Sequence, residues 1–247
     1  MKRLLLLAAL LWCAHPARAE PPAAFCAAAK KEVGADAQLA AGVAAAFGKA
    51  NFTDATSDCL YPLKVLRYAS ADVLVVQAGA PGEGCHGCEA VLSAYAIQRV
   101  GGGLKAVGKF REFAHLGSDG AVGEIWPIQI AGDDAMAIES GGVFQGYAST
   151  SLDFFAFHAG ALVSLEPNPQ VVIHADDSGA MADESKAIVV TGSWFFDPAD
   201  KSALVVDYKI EAKGATRVER VVWRPQGGKL VLARGRMPSE VTEASGR

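Results

Sequence analysis

The side chains best able to do chemistry sit in one short run, Gly84-Cys85-His86-Gly87-Cys88. A Cys-x-x-Cys pair enclosing a histidine supports three chemistries. As a dithiol it would exchange disulfides, with Cys85 the thiolate nucleophile and Cys88 the resolving thiol. That reading needs a helix opening at the motif. Here Val91–Ile97, the Gly101-Gly102-Gly103 turn and Leu104–Phe110 read more simply as a hairpin. As a metal half-site, Cys85, His86 and Cys88 would need partners, because zinc takes four ligands. No second Cys-x-x-Cys or His-x-x-x-His exists, and His115, His158 and His174 fall on separate segments. Haem attachment requires histidine directly after the second cysteine, where Glu89 stands. As an oxidised ring, the motif is a clamp that displays His86 on a pre-organised loop. This last reading is the one the sequence favours, with no metal and no cofactor.

A second constellation is Glu139-Ser140-Gly141-Gly142-Val143-Phe144-Gln145-Gly146-Tyr147. Its glycines predict a mobile or tightly turned loop carrying Phe144, Gln145 and Tyr147. Two rings and an amide suit sugar or peptide recognition, by stacking and paired hydrogen bonds. An ordinary turn with its rings packed inward competes with that reading. Hydrolase signatures are missing. There is no Gly-x-Ser-x-Gly, the closeness of His174, Asp176 and Ser178 does not by itself make a triad, and Asp176-Asp177-Ser178-Gly179 reads as a turn. Nor is there a calcium loop or a phosphate-cradling glycine motif. No catalytic residue is assigned. The expectation is a non-catalytic binding protein, with His86, Phe144, Gln145 and Tyr147 on its recognition surface. The alternative is a thiol–disulfide or thiol-dependent enzyme using Cys85 and Cys88.

The compartment follows from the first residues. Met1-Lys2-Arg3 precedes an uncharged run from Leu4 to Ala14, then Ala17-Arg18-Ala19. This is the pattern of a cleavable export signal, residues 1–19, with Glu20 as the first mature residue. Periplasmic or secreted placement is expected, with an envelope polymer or a protein as partner. Removing Lys2, Arg3 and Arg18 from the 23 basic residues leaves 20 against 27 acidic ones, a net charge of −7. An acidic exported chain is a poor partner for nucleic acid. No later apolar run is long enough to span a bilayer. The remaining cysteines, Cys26, Cys59, Cys85 and Cys88, predict Cys26–Cys59 and Cys85–Cys88 disulfides.

The elements that must position these loops are also legible. Residues 20–50 form the only convincing helical segment, with Phe25, Ala29, Val33, Ala37, Ala40, Val43 and Phe47 on one stripe. Gly34 followed by Asp36 splits it, Asp36 capping the second part. From residue 51 to 237 the chain predicts an antiparallel β domain, with short β-branched and aromatic runs divided by glycine and aspartate turns. The fold class is mostly β, a meander whose form could be sandwich, barrel or propeller-like. In Phe154-Phe155-Ala156-Phe157-His158, alternate side chains oppose one another, so a strand apolar on both faces is expected to be sandwiched. Residues 238–247 read as a polar, frayed tail.

Overall fold

The computed structural model describes residues 23–55 and 58–245. The expected signal, residues 1–19, and Glu20 lie outside them. The described residues begin with β1 (Ala24–Cys26), a 3-10 turn, α1 (Lys30–Ala35) and α2 (Ala37–Phe47). It continues through β2 (Asn51–Thr53), β3 (Leu60–Arg67), β4 (Asp72–Ala78), β5 (Ala90–Val100) and β6 (Gly103–Leu116). These strands form one sheet in the order β2-β1-β3-β4-β5-β6, curved as a half-barrel. A second sheet takes β7 (Ile125–Ile130), β8 (Asp133–Phe144), β9 (Tyr147–His158), β10 (Ala161–Ser164) and β11 (Val171–Asp176). It is completed by β12 (Ile188–Phe196), β13 (Leu204–Ala212), β14 (Ala215–Gln226) and β15 (Lys229–Arg234). Its order is β15-β14-β13-β12-β11-β9-β8-β7, with β10 beside β9.

The helical segment divides where Asp36 interrupts it. Its carboxylate accepts hydrogen bonds from the Gln38 and Leu39 amides at 2.8 and 3.0 Å, so α2 starts with a side-chain cap. Two features depart from the expectation. Ala24–Cys26 is a strand, not helix, and it pairs in parallel with both β2 and β3. Three residues are too few to show a period, and burial decides the outcome: Phe25 is fully buried, its ring edge-on to Phe47 at 5.1 Å. The Cys26–Cys59 disulfide then ties β1 to the start of β3.

Alternation along the strands builds the layers. On β4, Leu74 and Val76 pack towards α2, while Val73 and Val75 pack towards the second sheet. On β9, Phe155 joins Val73, Val75, Leu92, Met136 and Ile138 between the sheets, and Phe154 turns into the core on the far side. β9 is therefore sandwiched, as its two apolar faces require. The far core includes the fully buried Trp223, whose indole N–H donates to the Pro169 carbonyl at 3.0 Å. That carbonyl belongs to an excursion between β10 and β11 in which Leu165 and Asn168 hydrogen-bond the backbone of β15. The C-terminal segment is not frayed. Ser239–Ala244 forms α3, burying Val241 and Ala244 against the second sheet. Two apolar residues spaced for one helix face outweigh the polar composition around them.

Candidate functional site

The face of β8 that meets the first sheet runs Met136, Ile138, Ser140, Gly142, Phe144. Its cross-strand partners on β9 are Phe155, Asp153, Ser151, Ser149 and Tyr147. Towards the hairpin tip this face therefore changes from large and apolar to small and hydroxylic. Packing against the first sheet ends there, and the space left over is a cleft of about 450 Å³. Ser140, Ser149 and Ser151 line it from the hairpin, Phe144 and Tyr147 at its lip. Of the two forms expected of this segment, mobile or tightly turned, it takes the second: hydrogen-bonded strand up to a two-residue turn, Gln145-Gly146, with φ of 51° and 85°. The glycines serve approach rather than mobility. A Cβ on Gly141 would lie 2.2 Å from the Ser149 carbonyl oxygen, and one on Gly142 2.3 Å from Ser118 Oγ.

The opposite wall comes from the Cys85–Cys88 turn and the 117–121 loop. The two cysteines are disulfide-bonded, and the Cys88 amide closes the turn on the Cys85 carbonyl at 2.8 Å. Gly120 N–H donates to the Cys88 carbonyl and Gly84 N–H to that of Asp119, so the two loops are laced together. A Cβ on Gly84 would meet the Gly120 nitrogen at 2.7 Å, which explains a glycine there. His86 Nδ1 lies 3.1 Å from Asp119 Oδ1, and Ser118 Oγ donates to the Gly141 carbonyl at 3.0 Å, linking this wall to the hairpin. The His86–Asp119 pair is exposed, and such pairs add about 0–1 kcal/mol to stability. Its consequence is orientation: it holds the imidazole at the cleft. Beneath the loop, fully buried Gln77 donates from Nε2 to the carbonyls of Gly79 and Gly120 at 3.1 and 3.0 Å. Its Oε1 has no hydrogen-bond partner among the described residues.

The structure thus brings three of the four expected residues, His86, Phe144 and Tyr147, to one cleft from segments about 60 residues apart. Gln145 stands at the exposed turn and is not part of the lining. Ser118, Ser140, Ser151, Glu89 and Gln170 were missed. The only signal for Ser140 and Ser151 is their alternation with apolar residues on β8 and β9, and Ser118, in the 117–121 loop, carries none. Phe144 is 66% exposed, too much for a ring turned inward. Burial holds the Asp153 carboxyl above the ordinary carboxylate range, partly offset by the hydrogen bond from Ser140 Oγ. The arrangement can stack a flat apolar face on Phe144 and Tyr147 while hydroxyls, an imidazole and the Glu89 carboxylate meet polar groups.

The surroundings do little for thiol chemistry. The Cys85–Cys88 pair occupies a turn between β4 and β5, not a helix start, and the charge held beside it is the Asp119 carboxylate. Thiolates are favoured by helix N-termini and cations. Among the described residues no cluster of three or more His, Cys, Asp or Glu side chains could hold a metal ion. The remaining histidines sit apart; His158 pairs with Asp133 at 2.9 Å. Asp177, buried, accepts from the Ile188 amide at 2.7 Å, and the 174–179 run is the end of β11 followed by a 3-10 turn. Among the described residues no helix is long and apolar enough to cross a membrane. Comparison with protein-family models, characterised proteins and solved structures finds no match.

Proposed function

We propose that this chain is an exported, non-catalytic binding protein whose cleft takes a segment of a polyhydroxylated envelope polymer. The observation that carries this reading is a solvent-facing Phe144 ring set over a cleft lined by Ser118, Ser140, Ser149 and Ser151. Sugars present apolar C–H faces for stacking and hydroxyls that both donate and accept, and serine hydroxyls answer in kind. Two disulfides support an oxidising compartment, and with it export through the 1–19 segment. Of the architectures open to an antiparallel meander, the apolar layer between the two sheets supports a sandwich.

Retention on purified cell-wall glycan, followed by calorimetry with soluble oligosaccharide fragments, tests the reading. Binding should fall about tenfold or more in Phe144→Ala, a loss of about 1.4 kcal/mol or more. Val218→Ala removes an equally exposed apolar residue outside the cleft and should bind normally. Retention no better than that of an unrelated acidic protein, or equal losses in both variants, would discard the proposal.

A further inference from the structure

The hydrogen bonds inside the cleft walls decide what the walls can offer a ligand. Ser118 Oγ donates its one hydrogen to the Gly141 carbonyl, and Ser140 Oγ donates its own to the Asp153 carboxylate. Each hydroxyl is left with lone pairs alone. An ionised Asp119 can only accept, so His86 Nδ1 carries the proton of the neutral ring and Nε2 becomes a further acceptor. Glu89 also lines the cleft, and its carboxylate has no ion pair or hydrogen bond among the described residues. These four groups all accept.

No Lys or Arg among the described residues lines the cleft to balance them. The sequence shows why. Every lining residue except Ser245 comes from residues 68–98 or 112–185, and neither stretch contains a Lys or Arg. The second stretch alone holds 12 Asp and Glu. A cleft walled by one sign of charge concentrates ligands of the other.

We infer that the cleft selects glycans carrying unacylated amino groups, with Glu89 as the counter-charge and the Ser118, Ser140 and His86 lone pairs as acceptors. The inference rests on the reading of the cleft as a glycan site. An ammonium brings three donors and no acceptor, the complement of such walls. An acetamido group brings one N–H and no charge. The carboxylate of a uronic acid would meet Glu89 as a like charge, with no cation to answer it. Ser149 and Ser151 make no side-chain hydrogen bond among the described residues, so they keep hydrogens for the sugar hydroxyls. The faces of Phe144 and Tyr147 also attract a cation beside a stacked ring.

Calorimetry at pH 7 with β-1,4-linked tetrasaccharides of glucose configuration tests the selection. The 2-hydroxy, 2-amino and 2-acetamido forms and the 6-carboxylate share one backbone. The 2-amino form should bind about tenfold more tightly than the 2-hydroxy and 2-acetamido forms, and the 6-carboxylate most weakly. Glu89→Gln should weaken the 2-amino form about fivefold and leave the 2-hydroxy form within about twofold. Glu83→Gln removes an exposed carboxylate from the same connection but outside the cleft, and should change neither by more than about twofold. Equal binding of the 2-amino and 2-hydroxy forms would overturn the inference and leave the glycan reading standing. No binding of any form would overturn both. A Glu83→Gln loss equal to that of Glu89→Gln, or tightest binding by the 6-carboxylate, would also overturn the inference.

Discussion

Replacing Gln77 by Glu tests whether the floor beneath the cleft loop is as dry and as demanding as its contacts imply. Gln77 is fully buried and gives both Nε2 hydrogens to backbone carbonyls, one of them in the 117–121 loop. Glutamate has the same shape but, when ionised, no hydrogen to give and a charge facing two carbonyl oxygens. It will therefore stay neutral in the folded protein, its carboxyl pushed well above the ordinary value of about 4.3. In the neutral form its single O–H serves one carbonyl and leaves the other unpaired, a loss of about 1 kcal/mol. Holding it neutral at pH 7 costs about 1.4 kcal/mol for each pH unit above 4.3, close to 3.7 kcal/mol. The total is about 4–5 kcal/mol at pH 7 and about 1 kcal/mol at pH 4. The sign follows from linkage: the unfolded chain releases the proton near pH 4.3 and the folded one retains it, so the variant loses stability as pH rises. Urea unfolding of both proteins at the two pH values, followed by tryptophan fluorescence, measures this. A difference under about 1 kcal/mol at pH 7, or one equal at both pH values, would refute the reasoning.

Asp36→Ala should cost about 1 kcal/mol in urea unfolding, because two amides at the start of α2 lose their acceptor. Trp223→Phe should cost about 2–3 kcal/mol, from lost volume in a filled core and an unpaired Pro169 carbonyl, with the β10–β11 excursion exchanging amide hydrogens faster. Asp153→Asn should raise stability at pH 7. Burial raises the Asp153 pKa in the folded state, so ionisation opposes folding as pH climbs, and the gain should vanish below about pH 4, where aspartate is protonated in both states. Replacing Cys26 and Cys59 by serine should cost about 3–4 kcal/mol, against about 2 kcal/mol for Cys85 and Cys88, since the entropy released grows with the loop closed. The Cys85–Cys88 bond should persist in a glutathione buffer poised near −200 mV, as read by alkylation and mass spectrometry.

Much of the fold is written in local pattern. The break at Gly34–Asp36, the strand from Tyr147 to His158 and its two apolar faces all follow from period and capping chemistry. What escaped has a physical reason in each case. β1 and β2 are three residues each, and their parallel pairing depends on partners distant in the chain. Gly141 and Gly142 read as loop because glycine is a poor strand former, yet they lie within β8, where the closeness of Ser149 and Ser118 leaves room for nothing larger. α3 is masked by Ser239, Glu240, Thr242 and Glu243. The site shows the same division. His86, Phe144 and Tyr147 advertise themselves by type, whereas Ser118, Asp119 and Gln77 become part of it only when two loops remote in sequence are laced together.

The position of β9 has a consequence for how the molecule can fail. With Phe154 serving one core and Phe155 the other, that strand is a party wall, and neither room stands without it. A polypeptide cut at the 117–123 connection would leave Val73, Val75 and Leu92 facing water on one fragment, so the halves should be insoluble apart. Heating the intact protein should give one calorimetric peak, although the chain contains two sheets. Two resolved peaks would mean that each sheet keeps its own counsel.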